Sequence, residues 1–280
     1  MLGAWWQQWK RNWMDYPLRE GKIWAGRYRI EQFIGMGSYG QAYRCTDLMS
    51  DSFVLMKRGK PSKRDIGRKM LKQESEILQR LDHPQIPKWL NDAIHRHEEA
   101  LIMELVEGDN LEHSIMESGL TYTEGEALRL VRQLLDPLKY LHEAGYVHRD
   151  VRTPNVVEHG GRISLIDFGL TCRIGEVTSN QRQTDTGDAE LSGFADSWGA
   201  VRHRMRYPYP TSDLYGLGHL FLFLMYAGYV PDEGQGERGW EEELAFHPLV
   251  KNFIRGLLED KWQSAVECEQ ELDRILKELS

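Results

Sequence analysis

Near Gly108 the hydrophobic pattern of this chain changes period, and that change does more than any single motif to limit the folds open to it. Before Gly108, "RYRIEQFIGMGSYGQAYRCTD" alternates apolar and polar residues around a glycine cluster, and "DSFVLMKRG" adds a third strand-like run. "AIHRHEEALIMELVEG" reads as a hairpin of two more strands. The exception is Ser62 to Leu81, where Leu71, Glu74, Ile77, Leu78 and Leu81 fall on one helical stripe with Lys and Arg outside, so Glu74 faces inward. After Gly108 the pattern is helical. Thr123 with Glu126 three residues on forms a capping box ahead of a helix from Glu124 to Ala144. Leu128, Val131, Leu135 and Leu138 are its buried stripe, Gly145 ends it, and Pro137 inside it predicts a kink. The expected architecture is α+β: a Trp-rich extension over residues 1–26, a small β-rich lobe over 27–107 and a larger α-helical lobe over 108–280.

Composition narrows the partners. A formal charge of −8 does not suit a surface that coats nucleic acid, which needs basic side chains to displace counterions, so no nucleic acid is expected. Much of the acidic excess lies in "GWEEEL" and "VECEQELDRILKEL", which read as a solvated helical face. Cys45, Cys172 and Cys268 match neither a disulfide framework nor a zinc spacing, which favours a reducing, cytoplasmic setting. "LYGLGHLFLFLMYAGYV", Leu214 to Val230, is too short and too interrupted for a membrane span and reads as a buried helix. The start, "MLGAWWQQWKRNW", has no leucine-rich secretory core. Its Trp5, Trp6, Trp9 and Trp13 share one helical face beside Lys10 and Arg11, which suits packing on the domain or a partner first and a membrane surface second.

The residues that carry chemistry are spread along the chain. "GMGSYG", Gly35 to Gly40 with Gly37 between, is a GxGxxG followed by strand rather than helix, which disfavours a dinucleotide-binding fold. Lys57 ends the next strand-like run and Glu74 faces inward from the next helix, and two buried opposite charges suggest an ion pair. Beyond the long helix, "HRDVRTPN" supplies Asp150 and Asn155, and "LIDFG" supplies Asp167. Two carboxylates and an amide offer oxygen ligands for a hard cation and an acceptor for a hydroxyl proton, as transfer from ATP requires.

This ordered set, Gly35/Gly37/Gly40, Lys57, Glu74, His148-Arg149-Asp150, Asn155 and Asp167-Phe168-Gly169, resembles the protein kinase family in its serine/threonine, bacterial Hanks-type branch, over about residues 27 to 275. The resemblance implies a bilobal kinase-like fold that uses ATP with Mg²⁺ or Mn²⁺ and acts on protein substrates, itself included. It implies that Asp150 accepts the hydroxyl proton, Asn155 and Asp167 hold metal, and Lys57, kept in place by Glu74, grips phosphates. Arg152 stands where the family usually has a lysine near the γ-phosphate. Met103 corresponds to the gatekeeper, with Glu104, Leu105 and Val106 as the hinge, and Ala42 with Leu55 as an adenine roof of exchanged volumes.

The chain departs from the family downstream. "SDLYGLG" keeps Asp213, but "WGAVRHRMRYPYPT" before it lacks the "APE" motif, and "LLEDKWQSAVE" lacks the arginine that pairs with its glutamate. Losing both partners of a buried pair suggests a remodelled lobe. Arg149 implies a phosphate on the segment from Leu170 to Tyr209, which offers Thr178, Ser179, Thr184, Thr186, Ser192 and Ser197, with Thr184 and Thr186 first. Pro154 and Asn110 replace acidic residues that basophilic relatives use. The expected function is an ATP-dependent protein kinase acting on Ser/Thr hydroxyls, and the alternative is a catalytically weak, nucleotide-binding scaffold or sensor. Small-molecule kinases of related fold resemble "HGD" rather than this "HRD".

Overall fold

The computed structural model of the chain describes residues 15–37, 39–176, 194–230 and 238–279, and two compact units divide between Val106 and Glu107. In the first, the alternating segments become an antiparallel sheet: β1 Ile23–Trp24, β2 Tyr28–Met36, β3 Gly40–Asp47, β4 Ser52–Gly59, β5 Trp89–His95 and β6 Glu98–Glu104, in spatial order β1-β2-β3-β4-β6-β5. The two-residue period sends Tyr43, Cys45, Val54, Met56, Ala100 and Ile102 to one face, into a core with Trp24, Tyr28 and Ile30. Ala42, Leu55, Lys57, Leu101 and Met103 share the other face, as the register Ala42↔Lys57, Lys57↔Leu101 and Leu55↔Met103 shows. The expected second hairpin starts earlier, at Trp89. Arg96 and His97 close it, both at positive φ, in the two-residue geometry whose twist suits paired strands.

Helix α1 spans Arg64–Leu78 behind a 3-10 turn at Pro61–Lys63, a little shorter than expected. Leu71, Ile77, Leu78 and Leu81 are buried as the stripe required, and so is Glu74. Within the stretch expected as an extension, Ile23 and Trp24 pair with Arg29 and Tyr28, and the Trp24 side chain has 0% exposure, so strand pairing reaches back before Arg27. Two residues of strand are too few for alternation to reveal. Trp5, Trp6, Trp9 and Trp13 lie outside the described residues.

The second unit is mainly helical: α2 Leu111–Met116, α3 Glu124–Glu143, α4 Phe194–Met205, α5 Pro210–Tyr226, α6 Trp240–Glu243, α7 Pro248–Leu258 and α8 Ala265–Glu278. Short strands complete it: β7 Asp109–Asn110, β8 Tyr146–Val147, β9 Val156–His159, β10 Arg162–Leu165 and β11 Cys172–Arg173, arranged β10-β9-β7 and β11-β8. The capping box on α3 is formed in both directions between Thr123 and Glu126. Its Leu128, Val131, Leu135 and Leu138 have no exposure, and the helix runs on through buried Pro137 to Gly145, at φ 83°. The acidic face of α8 is not simply solvated, because Arg132 reaches Glu269 and Asp273, both at 2.6 Å, and Lys139 reaches Glu269 at 2.7 Å. Helix α5 is buried along most of its length, and no helix among the described residues is long and apolar enough to cross a membrane.

One ion pair fastens the edge of the first sheet. Arg27 donates through Nε and Nη2 to the two carboxylate oxygens of Asp47, at 2.7 and 2.6 Å. This fork, with the Met49 N–H, holds the Asp47 carboxyl down to about 2 against the desolvation that would raise it. A depressed folded pKa stabilises the fold above the unfolded value and loses that contribution as pH falls through the folded one. Asp47→Asn should cost about 1 to 2 kcal/mol at neutral pH in urea titrations. Its loss of stability as pH drops from about 4 towards 2 should be shallower than the parent's.

Candidate active site

The first unit brings a glycine turn and a paired lysine together. The strands β2 and β3 flank Gly37 to Tyr39, and the Gly37 N–H donates to the Gly40 carbonyl at 3.0 Å, so the glycine motif is a hairpin. A Cβ at Gly35 would meet nothing within 4 Å, and one at Gly37 only the Gly40 oxygen at that limit, which leaves the backbone open to an approaching oxyanion. Gly40 has a different reason, since its Cβ would stand 3.2 Å from the Arg58 carbonyl of the next strand. On β4, Lys57 donates to both oxygens of Glu74, at 2.9 and 2.7 Å. Glu74 is 2% exposed, and a carboxylate that deep stays charged only with such a partner. Ala42 and Leu55 lie on the sheet face that carries Lys57, with Met103 buried beside Leu55. After Met103 the Glu104 N–H is committed to the Lys88 carbonyl at 2.8 Å, while Val106 ends the unit.

The second unit holds the candidate residues of the "HRDVRTPN" loop on a hydrogen-bonded support. Asn155 sits in a 3-10 turn, Thr153–Asn155, and donates from Nδ2 to the Asp150 carbonyl at 2.9 Å and to Asp150 Oδ2 at 2.7 Å. With its nitrogen fixed in this way, its Oδ1 is turned away from Asp150, as a metal ligand must be. The Ile166 N–H donates to the Asn155 carbonyl at 2.9 Å, which ties that turn to the residue before Asp167. Asp167 is left-handed, at φ 64°, and accepts from the Gly169 N–H, while Phe168 is buried edge-on to His148 with centroids 4.9 Å apart. The amide and carboxylate oxygens suit a hard divalent cation. Arg152 Nε is 3.8 Å from Asp150 Oδ1 and, though buried, makes no hydrogen bond among the described residues.

Asp213 on α5 anchors the loop. It accepts from the His148 N–H at 2.8 Å, the Arg149 N–H at 2.7 Å and His142 Nε2 at 2.9 Å. Burial alone would push its carboxyl up, but the His142 hydrogen bond and charge, then His148 and Arg149, bring it below the usual carboxylate range. Gly216, one turn along α5, lets the helix touch the loop, because a Cβ there would lie 2.8 Å from the Val151 carbonyl. His142 and Gly216 were not foreseen, and a histidine and a glycine inside long helices carry no local signal of such contacts.

Arg149 and two of the expected departures gain a physical account. Arg149 donates to the Arg206 carbonyl at 2.6 Å and the Leu170 carbonyl at 3.2 Å, so it clamps both ends of the segment that sequence assigned to a phosphate. Thr178, Ser179, Thr184, Thr186 and Ser192 of that segment lie outside the described residues, as does the side chain of Ser197. Asn110 caps α2 by accepting the His113 N–H at 2.8 Å. Of the two stretches that lack the expected glutamate and arginine, one brings Arg204 on α4 and the other Asp260, which pair at 2.8 Å, with the Arg204 guanidinium 4.2 Å from the Tyr215 ring centroid.

The family model for the protein kinase domain matches residues 28–280. "Probable serine/threonine-protein kinase YbdM" of Bacillus subtilis is 29% identical over 97% of this chain and 98% of its own length. "Serine/threonine-protein kinase B" of Synechocystis is 26% identical over 84% of this chain but 43% of its own length. "Serine/threonine-protein kinase PrkC" of Bacillus subtilis is 27% identical over 77% and 32%. The chain thus spans nearly all of the first relative and under half of the other two. A solved structure described as "PpkA-294 apo form" has a TM-score of 0.68 at 18% identity, covering 91% of this chain and 99% of that one, a likeness of fold.

Two variants test this support. Asp213→Asn keeps the shape but turns an amide N–H towards donors, and should cost about 2 to 4 kcal/mol in thermal or urea unfolding. A double-mutant cycle on Arg204→Ala and Asp260→Asn should give a coupling of about 0.5 to 1 kcal/mol, since the pair is partly exposed. Additive losses would mean that the pair holds nothing together.

Proposed function

The chain belongs to the protein kinase family, and from that premise we infer that it is an ATP-dependent serine/threonine protein kinase whose transfer step is carried by Asp150, Asn155, Asp167 and Lys57. The observation that carries this reading is the fixing of Asn155 Nδ2 by Asp150, at 2.7 and 2.9 Å, because it assigns both side chains a direction. Asp150 offers a carboxylate to a hydroxyl proton, and Asn155 offers an oxygen beside Asp167. The acceptor oxygen bonds to the γ-phosphorus, the bond to the β-phosphate oxygen breaks, ADP departs, and the hydroxyl proton passes to Asp150.

The work divides between the units. In the first, the open backbone at Gly35 and Gly37 and the Lys57 ammonium hold phosphate oxygens, with Gly40 fixing the turn and Glu74 preventing the lysine from swinging away. Ala42 and Leu55 roof the adenine, Met103 lies behind it, and Val106 gives the N–H that Glu104 no longer has to offer. In the second, Asn155 and Asp167 would hold a divalent cation, Mg²⁺ or Mn²⁺, which when bound neutralises phosphate charge. Arg152, with its unengaged Nε, approaches the γ-phosphate in place of lysine. Protein hydroxyls, including its own, are the acceptors. The three free cysteines are buried, and burial pushes the Cys45 thiol up to about 12, which fits a reducing, cytoplasmic setting with unreactive thiols.

Purified protein incubated with labelled ATP and Mg²⁺ should acquire label on serine or threonine, located by mass spectrometry. Asp150→Asn should lower the rate by about 10² to 10⁴-fold while nucleotide affinity stays close to the parent's. Nucleotide binding by the parent without any transfer, to itself or to generic protein substrates, would favour the scaffold.

A further inference from the structure

We propose that Asp15, ahead of the first strand, is a positioning residue for the Lys57–Glu74 pair, acting through Ser62 and Gln41. Helix α1, which presents Glu74, starts without local help, since Lys63 at its N-cap makes no side-chain capping bond. The carboxylate that serves this end comes from far along the chain. Asp15 Oδ1 accepts the Ser62 N–H at 2.9 Å and Oδ2 accepts the Ser62 hydroxyl at 2.5 Å, in the 3-10 turn that runs straight into α1. A negative charge there satisfies the Ser62 N–H just ahead of the helix and suits the positive end of the helix dipole.

The same residue also holds the glycine turn. Gln41, the residue after Gly40, has 0% exposure, and its Nε2 donates to the Asp15 carbonyl at 2.5 Å. Its Oε1 accepts the Tyr43 hydroxyl at 2.8 Å, whose oxygen accepts the Leu18 N–H at 3.1 Å. Without residues 15–18, two buried polar side chains on β3 would lose partners, which buried groups do not tolerate. The helix start and the glycine turn are pressed together as well. The Lys60 N–H donates to the Tyr39 carbonyl at 2.8 Å, Lys63 Nζ lies 4.8 Å from the Tyr39 ring centroid, and a Cβ on Gly67 of α1 would lie 2.8 Å from that same Tyr39 oxygen. Asp15 therefore ties down the corner from which both the phosphate turn and the Glu74 helix depart. Because a helix moves as a rigid body, slack at Ser62 is felt at Glu74.

This inference rests on the kinase reading for its kinetic test and on geometry alone for its second. In the whole 280-residue chain, Asp15→Ala should lower kcat/KM for ATP about five- to tenfold, mainly through KM. Peptides covering residues 64–78 should exchange amide hydrogen faster. Ser62→Ala should reproduce part of both effects, the double variant should be no worse than Asp15→Ala alone, and Asp15→Asn, which keeps an acceptor for the Ser62 N–H, should recover most of the loss. Unchanged kcat/KM and unchanged exchange in Asp15→Ala would overturn the proposal, as would a uniform loss of stability without local change at 64–78. If the parent protein transfers no phosphate, the kinase reading fails, and exchange at 64–78 still decides the role of Asp15.

Discussion

A carboxylate with no contact with water is unstable unless every lone pair that matters has a donor, and Asp213 meets that demand with two backbone N–H groups and a histidine. The order of the loop from His148 to Asn155 follows from this requirement. The N–H groups belong to His148 and Arg149, so satisfying the buried charge fixes the chain just before Asp150 and holds Arg149 at φ 70°, a conformation it would otherwise avoid. Once that turn is set, Asn155 can reach back to Asp150, and the Arg149 guanidinium is aimed at the carbonyls of Leu170 and Arg206. Gly216 completes the arrangement by bringing the Asp213 helix within reach.

The first unit obeys a parallel logic with a different charge. Glu74 is as buried as most of the apolar stripe around it, and Lys57 is the reason it can be. Neither side chain is free to choose its position, because each is on a regular element whose period fixes its direction. A lysine placed by a strand and a glutamate placed by a helix make a more constant cation than one on a loop could be.

How much was legible in the sequence depended on distance along the chain. Local periodicity found the strands, the buried stripe of α1 with Glu74 inside it, and the capping box at Thr123, since those signals are complete within a few residues. The order of motifs singled out Lys57, Asp150, Asn155 and Asp167 as candidates, and the fold brings Asp150 and Asn155 into direct contact. Contacts between residues far apart were not legible. Asp15 with Ser62, Arg132 with Glu269 and Arg204 with Asp260 each join ordinary polar residues whose types do not announce a partner. The strand Ile23–Trp24 was not legible for a related reason, as two residues have no period. The acidic look of α8 misled because composition counts charges without locating the cations that α3 sets opposite them.

The Arg204–Asp260 pair has a bearing on how the second unit can be recombined with its kin. Its two ends come from α4 and from the turn between α7 and α8, so a segment exchanged at one end alone would leave the other charge without its partner. The helix and the turn are therefore interchangeable only as a matched set, although α5, α6 and α7 lie between them in the chain.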